Sequence, residues 1–92
     1  MNAEQRGEEA NRVLQEPLLK EAFKVVREKL VLSLEDVAIG DTSTMQALTL
    51  SLQVLKNIEG YLKAAVRDGE FEANKRLSDA ELEALRGKRI NW

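Results

Sequence analysis

Leu19, Phe23, Val26, Leu30 and Leu34 follow one another at intervals of three and four residues, and Met45, Leu48, Leu52, Leu55, Ile58, Leu62 and Ala65 repeat the pattern. That interval places every member of each series on one side of an α-helix. Leu18, Ala22, Val25 and Leu32 widen the first stripe onto a second side, as a helix packed in more than one direction requires. Aromatic residues are few and no Asn-Gly pair marks a tight hairpin turn, so strands are not expected. The sequence predicts an all-α protein.

Helix boundaries follow from capping chemistry. Ala3 to Gln15 forms a short helix with a sparse apolar side of Ala10, Val13 and Leu14. Pro17 ends it and starts the next, because proline is disfavoured inside a helix but tolerated in its first turn. The first long helix then runs to about Glu35, and Ala38-Ile39-Gly40-Asp41 is the turn. Ser43 with Gln46 has the spacing of a capping box for the second long helix, and Gly69 is placed to stop it. Ser78-Asp79-Ala80-Glu81 is a second capping box, with Leu77 positioned to staple onto Leu82. Gly87 closes this short last helix. The expected architecture is one domain, 1–92, built as an antiparallel helical hairpin (17–36 and 43–68). A short N-terminal helix (1–16), a short C-terminal helix (78–86) and a tail (87–92) flank it. Residues 70–76 are open between helix and connector.

Composition narrows the chemistry. The 92 residues contain no His and no Cys, which removes the usual neutral-pH base, the thiol nucleophile, disulfides and most zinc or copper sites. The acids, such as Glu8-Glu9, Glu35-Asp36 and Glu70 with Glu72, fall at exposed helical positions, where carboxylates stay solvated. The five glycines form neither a P-loop nor a dinucleotide fingerprint. Catalysis is therefore not expected, and neither a metal nor a cofactor is implied. A net charge of −2 gives no global pull toward nucleic acid or an anionic membrane. No stretch has the roughly 18 apolar residues that span a bilayer, and the polar, acidic beginning does not read as a signal peptide.

Three features point to binding. The window Thr42–Leu55 carries no charge, whereas a helix wet on one side normally places charges there every few residues. Burial on both sides explains it, with a second subunit over Met45, Leu48, Leu50, Leu52, Val54 and Leu55; a neutral exposed face is the plainer alternative. Thr49, Ser51 and Gln53 are candidates for hydrogen bonds across such an interface. Next, Lys20, Lys24 and Arg27 share one face of the first long helix, and Lys56, Lys63 and Arg67 one face of the second. Gly60 lies in the latter stripe and leaves room for close approach. An antiparallel hairpin gathers these six cations at one end, where they suit a phosphate or nucleotide. Interspersed Glu16, Glu21, Glu28, Glu59 and Asp68 favour an ordinary salt-bridged surface, with Glu59–Lys63 as one helix-stabilising pair. Finally, Lys88, Arg89, Ile90 and Trp92 include residue types common as interface anchors, so Arg89 and Trp92 are candidates for holding a partner, with docking of Trp92 onto its own hairpin as the equal alternative.

Asn11-Arg12-Val13-Leu14, Glu16-Pro17-Leu18-Leu19, Glu21-Ala22-Phe23, Asp41-Thr42 and Val66-Arg67-Asp68-Gly69-Glu70 together resemble small helical-hairpin proteins of tailed bacteriophages, over roughly residues 9–77. The resemblance implies a phage protein found with head and DNA-packaging genes, acting in the host cytoplasm or the virion, with itself and other phage or host proteins as partners. Other small phage hairpins act as anti-defence sponges that hold cyclic nucleotide signals between subunits. That role, and inhibition of a host protein, are the alternatives to an assembly accessory.

Overall fold

The computed structural model of the chain describes residues 1–90, with side-chain surroundings through Arg86. Among the described residues there are three α-helices and no strand: α1 (Ala3–Gln15), α2 (Pro17–Glu35) and α3 (Thr42–Ile90).

Each start has a local cause. The Asn2 side chain accepts the Gln5 amide at 2.8 Å, while the Gln5 side chain accepts the Asn2 amide at 3.1 Å. This reciprocal box satisfies two of the amides that a helix start leaves without partners. A single extended residue, Glu16, separates α1 from α2, with φ −64° and ψ 119°. Its carboxylate accepts the Leu18 amide at 3.5 Å, and Pro17 occupies the first position of α2. The start of α3 differs from expectation. The Ser43–Gln46 box does not form; Asp41 caps instead, accepting the Thr44 amide at 3.1 Å, so the helix opens at Thr42. A carboxylate is the better cap here because its charge also faces the positive end of the helix. The Thr44 hydrogen bond holds the Asp41 carboxyl below the usual aspartate value.

The second difference is larger. Gly69 does not stop a helix and 78–86 is not a separate one: α3 continues through both, through 70–76 and past Gly87 to Ile90. No described glycine adopts a positive φ, so Gly69 does not use the left-handed conformation of a stop. It is buried, and its missing side chain serves packing. A Cβ added at Gly69 would lie 2.9 Å from the Ala3 carbonyl oxygen and 2.9 Å from the Gly7 Cα. A Cβ added at Gly7 would lie 2.9 Å from the Ala65 carbonyl oxygen and 2.9 Å from the Gly69 Cα. The motif Ala-x3-Gly occurs on both helices, at Ala3/Gly7 and Ala65/Gly69, and the two backbones touch there. Ala10 and Ala65 are the buried apolar residues among those described, at 5% and 7% exposure.

Contacts descend along α3 as they ascend along α1 and α2. Glu4 pairs with Arg76 at 2.8 Å, Gly7 meets Gly69, and Arg27 pairs with Glu59. At 1.5 Å per residue α3 accounts for about 74 Å, nearly the whole long dimension of a molecule measuring 79 × 25 × 20 Å. The radius of gyration is 21.8 Å, against about 12 Å for a compact chain of this length. The molecule is a rod about two helices thick.

Two predictions follow from the helix contacts and the cap. Gly69→Ala raises intrinsic helix propensity yet should destabilise by about 1–3 kcal/mol, because the new methyl forces the backbones apart. Gly60→Ala, with nothing within 4 Å of the added carbon, should stabilise by about 0.5–1 kcal/mol; urea midpoints of the two variants decide the sign. Asp41 is the pH-sensitive cap. Its folded pKa is lowered, so its contribution is complete above about pH 4 and is lost as pH falls through the native value. Asp41→Ala should lower the melting temperature at neutral pH, whereas Asp41→Asn should keep the cap and lose that acid sensitivity; circular dichroism melts from pH 7 to 2 test both.

Candidate binding grooves

Where α1 gives way to α2, both helices and α3 enclose an open groove of about 460 Å³. Its floor is apolar, made by Leu14 from the end of α1 and by Leu19 and Phe23 from the α2 stripe, all three half-buried. Its rim is cationic, with Lys20, Lys24 and Arg27 from α2 and Lys63 from α3, opposed by Glu28 and Glu59. Four of the six expected cations thus share one groove. The Lys20 ammonium donates to the Gln15 side chain at 3.1 Å. Arg27 is committed to Glu59, across helices and partly buried. The expected Glu59–Lys63 pair does not form, because Glu59 is turned inward to Arg27 while Lys63 stays at the rim.

A second open depression, of about 440 Å³, adjoins the first through Leu14 and Lys63. Gly60 lies among its lining residues, with Val66, Arg67 and Asn11. Arg67 therefore stands beside the first groove and shares Lys63 with it. Lys56 lines neither.

The uncharged window divides in two. Met45, Leu48, Leu52 and Leu55 are half-buried, whereas Leu50 and Val54 are 60% and 50% exposed. Leu50 lines a shallow groove with Met45, Thr42, Gln46, Thr49 and Gln53. The Thr49 hydroxyl donates to the Met45 carbonyl at 2.8 Å and the Ser51 hydroxyl to the Ala47 carbonyl at 2.9 Å. Both are satisfied within their own helix, as hydroxyls in helices often are, and need no partner across an interface. Of the expected anchors, the Arg89 side chain and Trp92 lie outside the described residues.

Sequence reasoning missed Gly7, Gly69 as a packing residue, and Phe71, which is 67% exposed. The Ala-x3-Gly spacing on both helices was the available signal for the first two. Among the described residues, no group of three or more acidic side chains is placed to hold a metal ion, and no polar or charged residue is buried. No described helix is long and apolar enough to cross a membrane. Comparison with protein-family models, curated proteins and solved structures gives no match to this chain.

The Arg27–Glu59 pair ties α2 to α3 with 43% and 19% side-chain exposure. Glu59→Gln should cost about 1 kcal/mol or less, since partial exposure weakens such pairs. A loss no greater than that of a surface Glu28→Gln control in urea melts would show that the pair contributes nothing.

Proposed function

We propose that this chain is a non-enzymatic, self-associating protein that works by binding, an antiparallel hairpin with α1–α2 as one arm and α3 as the other. One observation carries the reading: the described residues bury two alanines and no large apolar side chain. No described side chain is fully buried, while Leu18, Leu32, Leu50, Tyr61, Phe71 and Leu82 are each more than half exposed. The chain exposes 7547 Å², against about 5,400 Å² for a compact chain of its mass. The excess of about 2,000 Å² per copy is more than the ~800 Å² that each partner contributes to a standard interface. The open part of the uncharged window, Leu50 and Val54, supplies one such surface.

The resemblance to phage hairpins supplies the setting, an accessory of the virion or of head and packaging assembly, with other phage or host proteins as partners. The groove with Lys20, Lys24 and Lys63 around Phe23 favours a second reading, a sponge for a cyclic nucleotide, because such a ligand presents both phosphate and a flat ring.

Light scattering at micromolar concentration should give at least twice the monomer mass, and the melting temperature should rise with protein concentration. Leu50→Glu with Val54→Glu should lower the measured mass. A monomer throughout would overturn the proposal. A panel of cyclic nucleotides separates the two roles: a ligand at a hundred times its Kd stabilises by about 2.7 kcal/mol, several degrees for a domain this size. No shift favours assembly, and a shift favours the sponge.

A further inference from the structure

From Asn74 to Arg86 every side chain of α3 is exposed. This segment projects past α1, whose first turn meets α3 at Arg76 through Glu4. A stretch of about 13 residues has marginal helicity in water without packing, and this one carries Leu77, Leu82 and Leu85 on the outside.

One stripe of α3 links this segment to the Gly60 depression. Gly60, Lys63, Arg67, Phe71, Asn74, Ser78, Glu81 and Leu85 recur at intervals of three and four, so they share a face. The stripe is basic before Phe71, at Lys63 and Arg67; after it come neutral Asn74 and Ser78, then Glu81 and Leu85, and Phe71 stands between the halves. Neither Lys63 nor Arg67 has an ion-pair partner among the described residues.

We infer that two copies pair antiparallel along this face, with the twofold axis at Phe71, each laying its projecting segment over the other's Gly60 depression. The register follows from the positions. In such a pair, a residue n places after Phe71 lies opposite the residue n places before it. Leu82, eleven places after, then sits over Gly60, eleven places before, where no atom lies within 4 Å of the missing Cβ. Leu14 and Val66 line the same depression beside Gly60. Glu81 lies opposite Tyr61, on the same side of the face as Lys63 and about 3 Å from it along the axis, and Phe71 meets its own copy. Leu82 covers the open position at Gly60 and Glu81 comes within reach of the unpaired Lys63, twice over, as a self-complementary isologous interface demands. The occupant is a second copy because the two halves that fit are both parts of this chain.

This inference rests on the proposed self-association, and cysteine cross-linking separates the two, because the native chain has no Cys. A disulfide needs Cα atoms within about 7 Å, a distance met on the axis and rapidly lost away from it. Phe71→Cys should form covalent dimers under mild oxidation. Ser78→Cys should not, since its two copies would be about 21 Å apart at 1.5 Å per residue. A parallel pairing would link both variants and would overturn the inference. Dimers of native mass in which neither Cys links would overturn this interface and leave self-association standing. A monomeric native protein would overturn both. Because Phe71→Cys removes part of the proposed contact, a second measurement keeps Phe71. Lys63→Glu should weaken the dimer at least tenfold, and adding Glu81→Lys should recover most of that loss. Equal weakening in the single and double variants, with native helicity by circular dichroism, would count against the pairing of Glu81 with Lys63.

Discussion

Everything in this molecule is arranged around the contact between Gly7 and Gly69. Two helices approach until backbone meets backbone, a spacing that any side chain larger than hydrogen at either position would prevent. Such contacts gain dispersion energy over many atom pairs, each pair contributing little. The contact gives α1 a partner 62 positions away in the chain. The single extended residue before Pro17 lets α1 take a direction of its own. It also explains why α3 runs on without interruption, since a glycine held against a neighbouring helix has no freedom to turn the chain.

The other consequence is thinness. Small residues occupy the seam, so little large apolar surface is hidden there, and several large apolar residues, among them Leu50, Val54, Tyr61 and Phe71, stand exposed at the flanks. Their exposure gives the rod several faces of a kind that soluble monomers rarely leave open. The basic-rimmed groove has a comparable origin. At the break between α1 and α2 the inward stripe of α2 is left partly uncovered, and Lys20, Lys24 and Lys63 stand around Phe23.

The helical class, the bounds of α1 and α2, and the role of Pro17 were legible because each rests on local rules: apolar spacing, proline geometry and capping. The end of α3 was not. Gly69 and the Ser78–Glu81 sequence carry strong local stop and start signals, but a tertiary contact and continuous propagation overrode them, and spacing alone does not reveal which glycine has a helix against it. Asp41 shows a milder version of the same problem, since a turn residue two places before Ser43 supplies the cap instead. Of the candidate binding residues, the grouping of Lys20, Lys24, Arg27 and Lys63 could be read from helical faces, whereas the diversion of Glu59 from Lys63 to Arg27 required the packing. The division of the window into half-buried Met45, Leu48, Leu52 and Leu55 and open Leu50 and Val54 likewise depends on the angle at which α2 meets α3.

The distance in sequence between the two halves of the glycine contact also orders events in time. Roughly 60 residues must follow Gly7 before Gly69 leaves the ribosome, which at about 5–20 residues per second takes several seconds. During that interval α1 has only its Asn2–Gln5 cap and a length of 13 residues, marginal for a helix in water. The turn at 36–41 can meanwhile bring α2 and the first half of α3 together through nearby contacts, which close at lower entropic cost. Of the three helices α1 is thus made before its partner surface on α3 exists, and the contact at Gly7 closes over a longer separation in the chain than the Arg27–Glu59 pair that joins α2 to α3.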